Sequence, residues 1–298
     1  MPIRWHEDDP KLLKRAIEFT AVRTDFLPAL IEKDYFASVL LEYLGERHGE
    51  LTFKGGTSFS KVHARFFRLS EDLDFTIHTP LDASRAARRR DADLLKAAVA
   101  ELPLALPAFT LIEPLRGANA STQYNATVGY RSLVAAPEPL ITIEVGLREP
   151  LMTNPVHGMA QTLVQDPVTG ASLVPPVQIR SLSLLEAVAE KIRAALCRRE
   201  VAIRDFFDID RLAHTNLLDP ADPALLALVG RKVMIPGTGA VDVSSSRLGM
   251  LPAQVEGSLR PVLSAKVIAE FDLERAVDIV RHIARELTQA PWARRRLD

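Results

Sequence analysis

The stretch Lys54-Gly55-Gly56-Thr57-Ser58-Phe59-Ser60-Lys61, which runs on to Leu69-Ser70-Glu71-Asp72-Leu73-Asp74-Phe75, decides how the first half of this chain is read. An apolar run, Leu51-Thr52-Phe53, leads into a tight Gly-Gly turn, and a short amphipathic segment then delivers Asp72 and Asp74 onto a second apolar run. The spacing predicts strand, turn, short helix over 58–67, and strand over 73–78. In a strand, residues i and i+2 share a face, about 6–7 Å apart. Two carboxylates so placed suit Mg²⁺, which takes few protein oxygens and completes its octahedron with water and substrate phosphates. The glycines expose backbone N–H groups at a helix start, where phosphate is welcome. A phosphate cradle beside a metal-binding pair points to phosphoryl or nucleotidyl transfer. Either element alone is weak: Gly-Gly is a common turn, and acidic pairs are common on surfaces.

Outward from this stretch, Asp9-Pro10 reads as a cap followed by a proline at the first helical position. Helices are expected over 10–22 and from Pro28 to about Leu44, and a longer one over 82–102 carries arginines on one side. Strands are expected at 51–54, 108–113, 123–132 and 139–147. In the last, Ile141, Ile143 and Val145 alternate with Thr142, Glu144 and Gly146 at period two. Two-metal transfer chemistry calls for a third carboxylate, and Glu144 is the best candidate. The alternation is satisfied equally well if Glu144 simply faces solvent. Residues 151–180, with several prolines and glycines, read as a loop or linker with short strands. From Ser181 the pattern turns helical, at 183–199, 205–214, 222–231, 253–270 and 273–289. The expected organisation is therefore an αβ domain over 1–150, a linker over 151–180 and a helical domain over 181–298.

At 298 residues the chain has room for two domains. A hydrophobic fraction of 47% and a charged fraction of 25% exclude wholesale disorder. The net charge of −1 announces no polyanion binder. Three basic clusters do stand out: Arg85 with Arg88, Arg89 and Arg90; Arg198 with Arg199 and Arg204; and Arg294 to Arg296. Such patches can track a phosphate backbone, although each also reads as a solvated face or tail. The single cysteine, Cys197, excludes an internal disulfide and a multi-cysteine zinc site, and reads as core. It fits a reducing cytoplasm. No signal-peptide pattern opens the chain and no apolar run reaches membrane-spanning length, so a cytoplasmic protein without a membrane association is expected.

Two further motifs lie in the helical half. Lys191, Ala194 and Arg198 fall at i, i+3 and i+7, one face of a helix. The small Ala keeps that face open to a triphosphate or a nucleic-acid strand, and a basic surface stripe is the plain alternative. Glu186 and Glu190 stand where they can form helix ion pairs with Lys191 or Arg193. Next, Arg204-Asp205-Phe206-Phe207-Asp208-Ile209 offers Asp205 as a helix cap. It also sets Asp208 within i+4 reach of Arg204, and Phe206-Phe207 serves as an anchor. His63 reads as structural.

Assembled, these residues resemble the AbiEii/MenT-like nucleotidyltransferases, toxins of type IV toxin–antitoxin systems within the DNA polymerase β-like superfamily. The family pattern is Gly-Gly-x-Ser, Asp-x-Asp, Lys-x-x-Ala-x-x-x-Arg and Lys-Asp-x-x-Asp-Leu. Here it stands as Gly55 to Ser58, Asp72 to Asp74, Lys191 to Arg198 and Arg204 to Ile209. Upstream, Glu32-Lys33-Asp34-Tyr35 looks like the family's N-terminal helix, so the similarity spans about residues 28–212. The resemblance implies an α/β (α+β) nucleotidyltransferase domain with a mixed sheet and flanking helices, plus a C-terminal helical bundle that completes the active site. Asp72 and Asp74 would hold Mg²⁺. Gly55, Gly56, Thr57 and Ser58 would meet the NTP, as would Lys191 and Arg198. Asp205 would be an active-site acid from the second domain, so the implied catalytic set is Asp72, Asp74, Lys191 and Asp205. Implied partners are an NTP, an RNA acceptor such as the tRNA 3′ end, whose modification blocks translation, and a cognate antitoxin. A small-molecule or protein hydroxyl acceptor, or a non-catalytic nucleotide- or RNA-binding module, are the alternatives. The departure is Arg204, where the family usually has Lys. An arginine keeps the charge but cannot shuttle a proton. A P-loop kinase is disfavoured because Gly-x-x-x-x-Gly-Lys-[Ser/Thr] is absent.

Overall fold

The computed structural model describes residues 3–64, 68–70 and 72–289. The chain divides into two compact units, Met1–Leu182 and Ser183–Asp298. The first is a mixed α/β unit and the second is helical.

The first unit opens with α1 (Trp5–Asp8), α2 (Pro10–Thr24) and α3 (Pro28–Arg47). Asp9 caps α2 as expected: its Oδ1 accepts the Leu12 N–H at 2.9 Å, with Pro10 in the first turn. α3 is buried on most of its circumference. Phe36 stacks on Tyr130, with ring centroids 4.2 Å apart, and meets Phe109 edge-on at 5.5 Å. The polar residues of its Glu32-Lys33-Asp34-Tyr35 stretch are tied down individually. Glu32 accepts from Ser132 Oγ and the Leu133 N–H, at 2.5 and 2.6 Å. Tyr35 Oη is 2.8 Å from His6 Nδ1. Asp34 pairs with Lys61 at 2.6 Å, both side chains at most 5% exposed. These residues anchor the unit, with α3 as its central beam.

The sheet has seven strands: β1 (Thr52–Lys54), β2 (Leu73–Thr76), β3 (Phe109–Ala118), β4 (Gln123–Tyr130), β5 (Leu140–Gly146), β6 (Val156–Ala160) and β7 (Val177–Ser181). Their spatial order is β3-β4-β5-β2-β1-β7-β6. Only β2–β5 and β1–β7 pair in parallel, so the sheet is mixed. β6 and β7 fall within the segment read from sequence as a linker, and the first unit continues to Leu182. The reason is physical. β7 buries Val177, Ile179 and Ser181 at period two, a signal only five residues long behind two prolines. β6 is an edge strand with little buried surface and almost no apolar pattern.

α4 (Gly55–Ser58) starts directly at the glycine pair, and a wider π-turn, Phe59–His63, continues it. The helix expected over 82–102 is two, α5 (Arg85–Asp91) and α6 (Asp93–Ala105), broken at Ala92.

The second unit holds α7 (Leu184–Cys197), α8 (Ile203–His214), α9 (Pro223–Val233), α10 (Ser245–Leu248), α11 (Ala265–Ala269) and α12 (Leu273–Gln289). Among the described residues it has no strand. Ser183 Oγ caps α7 by accepting the Glu186 N–H at 3.1 Å. The helix expected over 253–270 is a chain of single tight and wide turns before α11, because Pro252, Gly257 and Pro261 interrupt any regular ladder. Phe206 and Phe207 are fully buried as expected, and Phe207 meets Phe271 at 5.4 Å.

Candidate active site

Strand register assembles the first half of the site. Lys54 of β1 pairs with Asp74 of β2, Asp74 with Glu144 of β5, Glu144 with Asn125 of β4, and Asn125 with Arg116 of β3. Register partners on neighbouring strands share a face, about 4.8 Å apart. One polar row thus crosses the sheet, while Phe53, Phe75 and Val145, one residue along, point to the core and are fully buried. Glu144, whose face the alternation left open, stands beside Asp74. Asp72 lies exposed just before β2, two residues from Asp74.

The glycine pair serves this row by being small. Gly55 has φ +74°, and a Cβ added there would stand 2.0 Å from Asp74 Oδ2. A Cβ on Gly56 would stand 2.3 Å from Arg68 Nη2. The Asp74 carboxylate and the buried Arg68 guanidinium occupy the space that side chains would fill. The hydroxyls point inward instead: Thr57 Oγ1 donates to the Asp72 carbonyl at 2.5 Å, and buried Ser58 Oγ lies 3.5 Å from the Phe53 carbonyl. Contact from this turn to a phosphate would therefore come from its backbone and not from the Thr57 or Ser58 side chain. Behind it, buried Lys61 donates to the Asp34 carbonyl and Ser38 Oγ at 3.0 and 2.8 Å, fixing the π-turn to α3. Burial pushes the Lys61 ammonium down and the Asp34 carboxylate opposes this. His63 is partly buried, with Nε2 3.1 Å from the Leu182 carbonyl, and desolvation lowers its pKa. That is a structural role.

The donor set fits a hard divalent cation: Asp72, Asp74 and Glu144 supply only carboxylate oxygens, and the missing Gly55 side chain gives the Asp74 carboxylate its place. Among the described residues no three acidic, His or Cys side chains already converge on one point. An ion that brings its own waters and a substrate's phosphates needs no such cage.

The second unit gathers the helical motifs into one cluster. Lys191 Nζ lies 3.2 Å from Asp205 Oδ1 and 2.8 Å from Asp208 Oδ2, and Arg198 Nη1 lies 3.1 Å from Asp205 Oδ2. α8 begins at Ile203, so Asp205 sits in its first turn and is not the cap. Asp208 pairs with Lys191 of α7, and the Arg204 Nε donates to the Ser258 carbonyl at 2.8 Å. Glu190 does pair with Arg193 at 2.8 Å, but Glu186 and Glu190 both also hold Lys232 of α9, at 2.8 and 2.6 Å. Lys232 and Glu186 are each 1% exposed, a buried network that no local spacing announces. Burial pushes the Cys197 thiol up, as befits a packing residue. A depression of about 440 Å³ lined by Arg198 to Ala202 adjoins the cluster. A broader groove of about 1170 Å³ along α12 shares no residue with it. Arg85, Arg88, Arg89 and Arg90 lie on α5, which buries none of its residues. Arg294 to Arg296 lie outside the described residues.

A glycine turn beside acids on two adjacent parallel strands of a mixed sheet suits nucleotidyl transfer. Residues 39–295 match the family model described as the nucleotidyl transferase AbiEii toxin of type IV toxin–antitoxin systems, and the chain belongs to that family. Among solved structures, JHP933 from Helicobacter pylori shares the fold at a TM-score of 0.50 and 14% identity, covering 88% of this chain and 93% of its own. A second H. pylori structure, of a candidate nucleotidyltransferase, matches at a TM-score of 0.45 and 16% identity, over 86% of this chain and 92% of its own. No significant match was found among curated proteins. Among the described residues, no helix is long and apolar enough to cross a membrane.

Proposed function

We propose that this chain transfers a nucleoside monophosphate from an NTP to an RNA hydroxyl, the 3′ end of tRNA, and so blocks translation until an antitoxin opposes it. The register that sets Glu144 beside Asp74, next to the glycine turn, carries this reading. Asp72, Asp74 and Glu144 would hold Mg²⁺, which supplies charge neutralisation at the transferring phosphoryl group. The acceptor oxygen forms a bond to the α-phosphorus. The bond from that phosphorus to the α,β-bridging oxygen breaks, and pyrophosphate leaves with the electron pair. In this reading Asp205 orients the acceptor hydroxyl and takes its proton, and Lys191 and Arg198 meet the triphosphate. Lys191 is the residue that ties phosphate binding to Asp205, since it already bonds that carboxylate.

The family membership supports an NTP substrate and an antitoxin partner. The choice of RNA rests on the resemblance and on the exposed Arg85, Arg89 and Arg90 of α5. Incubation with α-labelled NTPs and total tRNA tests it. Label in tRNA is the expected result. Label only in protein or small molecules moves the acceptor, and no label anywhere, with growth arrest intact in Asp74→Ala and Lys191→Ala variants, points to a non-catalytic module.

A further inference from the structure

Lys54 is the residue immediately before the glycine turn, and no family motif named above includes it. Its backbone closes β1 opposite Asp74. Its side chain crosses over β2, so that Nζ lies 3.8 Å from where a Gly146 Cβ would stand; Thr76 Oγ1 borders the same spot at 3.8 Å. Gly146 follows Glu144 by two residues on the same face of β5, whereas Asp72 precedes Asp74 by two on β2. The ammonium and the Asp72 carboxylate therefore flank the Asp74–Glu144 pair on opposite sides. Lys54 is half-buried, yet among the described residues neither its ammonium nor the Glu144 carboxylate has a hydrogen bond or ion pair. Thr76 is already committed, donating to the Gly146 carbonyl at 3.1 Å. A half-buried cation kept beside acids but bonded to none of them is placed for an anion that arrives from outside.

We propose that Lys54 binds the β,γ-phosphates of the NTP and neutralises the pyrophosphate as it leaves. This inference rests on the nucleotidyl-transfer reading and specifies which part of the substrate meets the sheet. The anion is assigned to the NTP and not to the RNA backbone because Lys54 shares its sheet face with Asp74 and Glu144, which hold the metal and the substrate's phosphates in that reading. With the metal carboxylates at the α-phosphorus, Lys54 supplies the positive charge on the side where negative charge accumulates. The glycine at 146 keeps that floor open; a side chain there would meet the Lys54 ammonium.

The test compares Lys54→Met, which keeps the stem and loses the charge, with Lys54→Arg, which keeps the charge. Binding of magnesium pyrophosphate and of a nucleoside monophosphate is measured by calorimetry on the full chain, alongside label transfer. Lys54→Met should weaken pyrophosphate binding by about tenfold to a hundredfold, the worth of one charge-assisted hydrogen bond. Nucleoside monophosphate binding should be unchanged and Lys54→Arg should recover most of the loss. Unchanged pyrophosphate affinity in Lys54→Met overturns the inference, as does equal loss of both ligands, which marks a structural lysine. A shift confined to the KM for RNA assigns Lys54 to the acceptor and overturns it too. A wild type that binds pyrophosphate but transfers no label overturns the transfer reading alone, whereas one that transfers label with Lys54→Met unaffected overturns this inference alone.

Discussion

The two clusters of charged residues are built in opposite ways. On the sheet of the first unit, Lys54 and Glu144 sit two strands apart on one face, and among the described residues their side-chain charges have no hydrogen bond or ion pair. On α7 and α8 of the second unit, Lys191, Arg198, Asp205 and Asp208 are joined by ion pairs. The first arrangement holds charges ready for ligands at the cost of leaving them uncompensated. The second stabilises its own fold, and a phosphate that takes Lys191 must compete with two carboxylates. Removing a charge should therefore have different consequences in the two places: mainly lost activity on the sheet, and lost activity together with lost stability on the helices.

The largest effect expected is at Asp74. Asp74→Asn should lower kcat by roughly 10³-fold, the upper range for losing one preorganised charge at a transition state, and Glu144→Gln should leave the melting temperature near that of the wild type. A collapse of the fold would break the contrast. Next comes Lys191→Ala, which should abolish transfer and also destabilise the unit by about 3–5 kcal/mol, because the buried Asp208 loses an ion pair. Denaturant unfolding measures this, and a stability equal to that of Glu144→Gln would erase the distinction between the halves. Asp34→Ala strands Lys61 in the core in the same way and should cost about 3–5 kcal/mol. Its residual activity per folded molecule should stay within a few-fold of wild type, since no sheet carboxylate is altered. The smallest effect belongs to the α5 arginines. Replacing Arg88 and Arg89 by Ala should raise the KM for tRNA a few-fold and flatten its salt dependence, leaving NTP affinity alone; an unchanged salt slope removes α5 from the RNA-binding surface.

What sequence reading captured is local. The Gly-Gly turn, the Asp72/Asp74 spacing and the Lys191-to-Asp208 segment each fit within a few turns or one strand, where periodicity and capping rules apply. What escaped it is set by pairing across the chain. Period-two alternation could not say which face of β5 mattered until β2 supplied Asp74 as the register partner of Glu144. Spacing set Asp208 within reach of Arg204, four residues back, but gave no sign of Lys191, seventeen residues back, which the fold brings to 2.8 Å. Lys54 carried no signal beyond its place before the glycines, and Arg68 none beyond its place before the acidic run. β6 and β7 were hidden because one is an exposed edge and the other is short and follows prolines.

The proposal's central claim is that the sheet carboxylates and the helical cluster are both required for nucleotidyl transfer. Single-turnover transfer from α-labelled NTP, measured for Asp74→Asn, Asp205→Asn and the double variant, tests this most directly. Residues acting as one unit are strongly non-additive. The account predicts that each single variant loses about 10³-fold and that the double variant is no slower than the worse single one. Losses that multiply, or transfer that survives in either single variant, would contradict it.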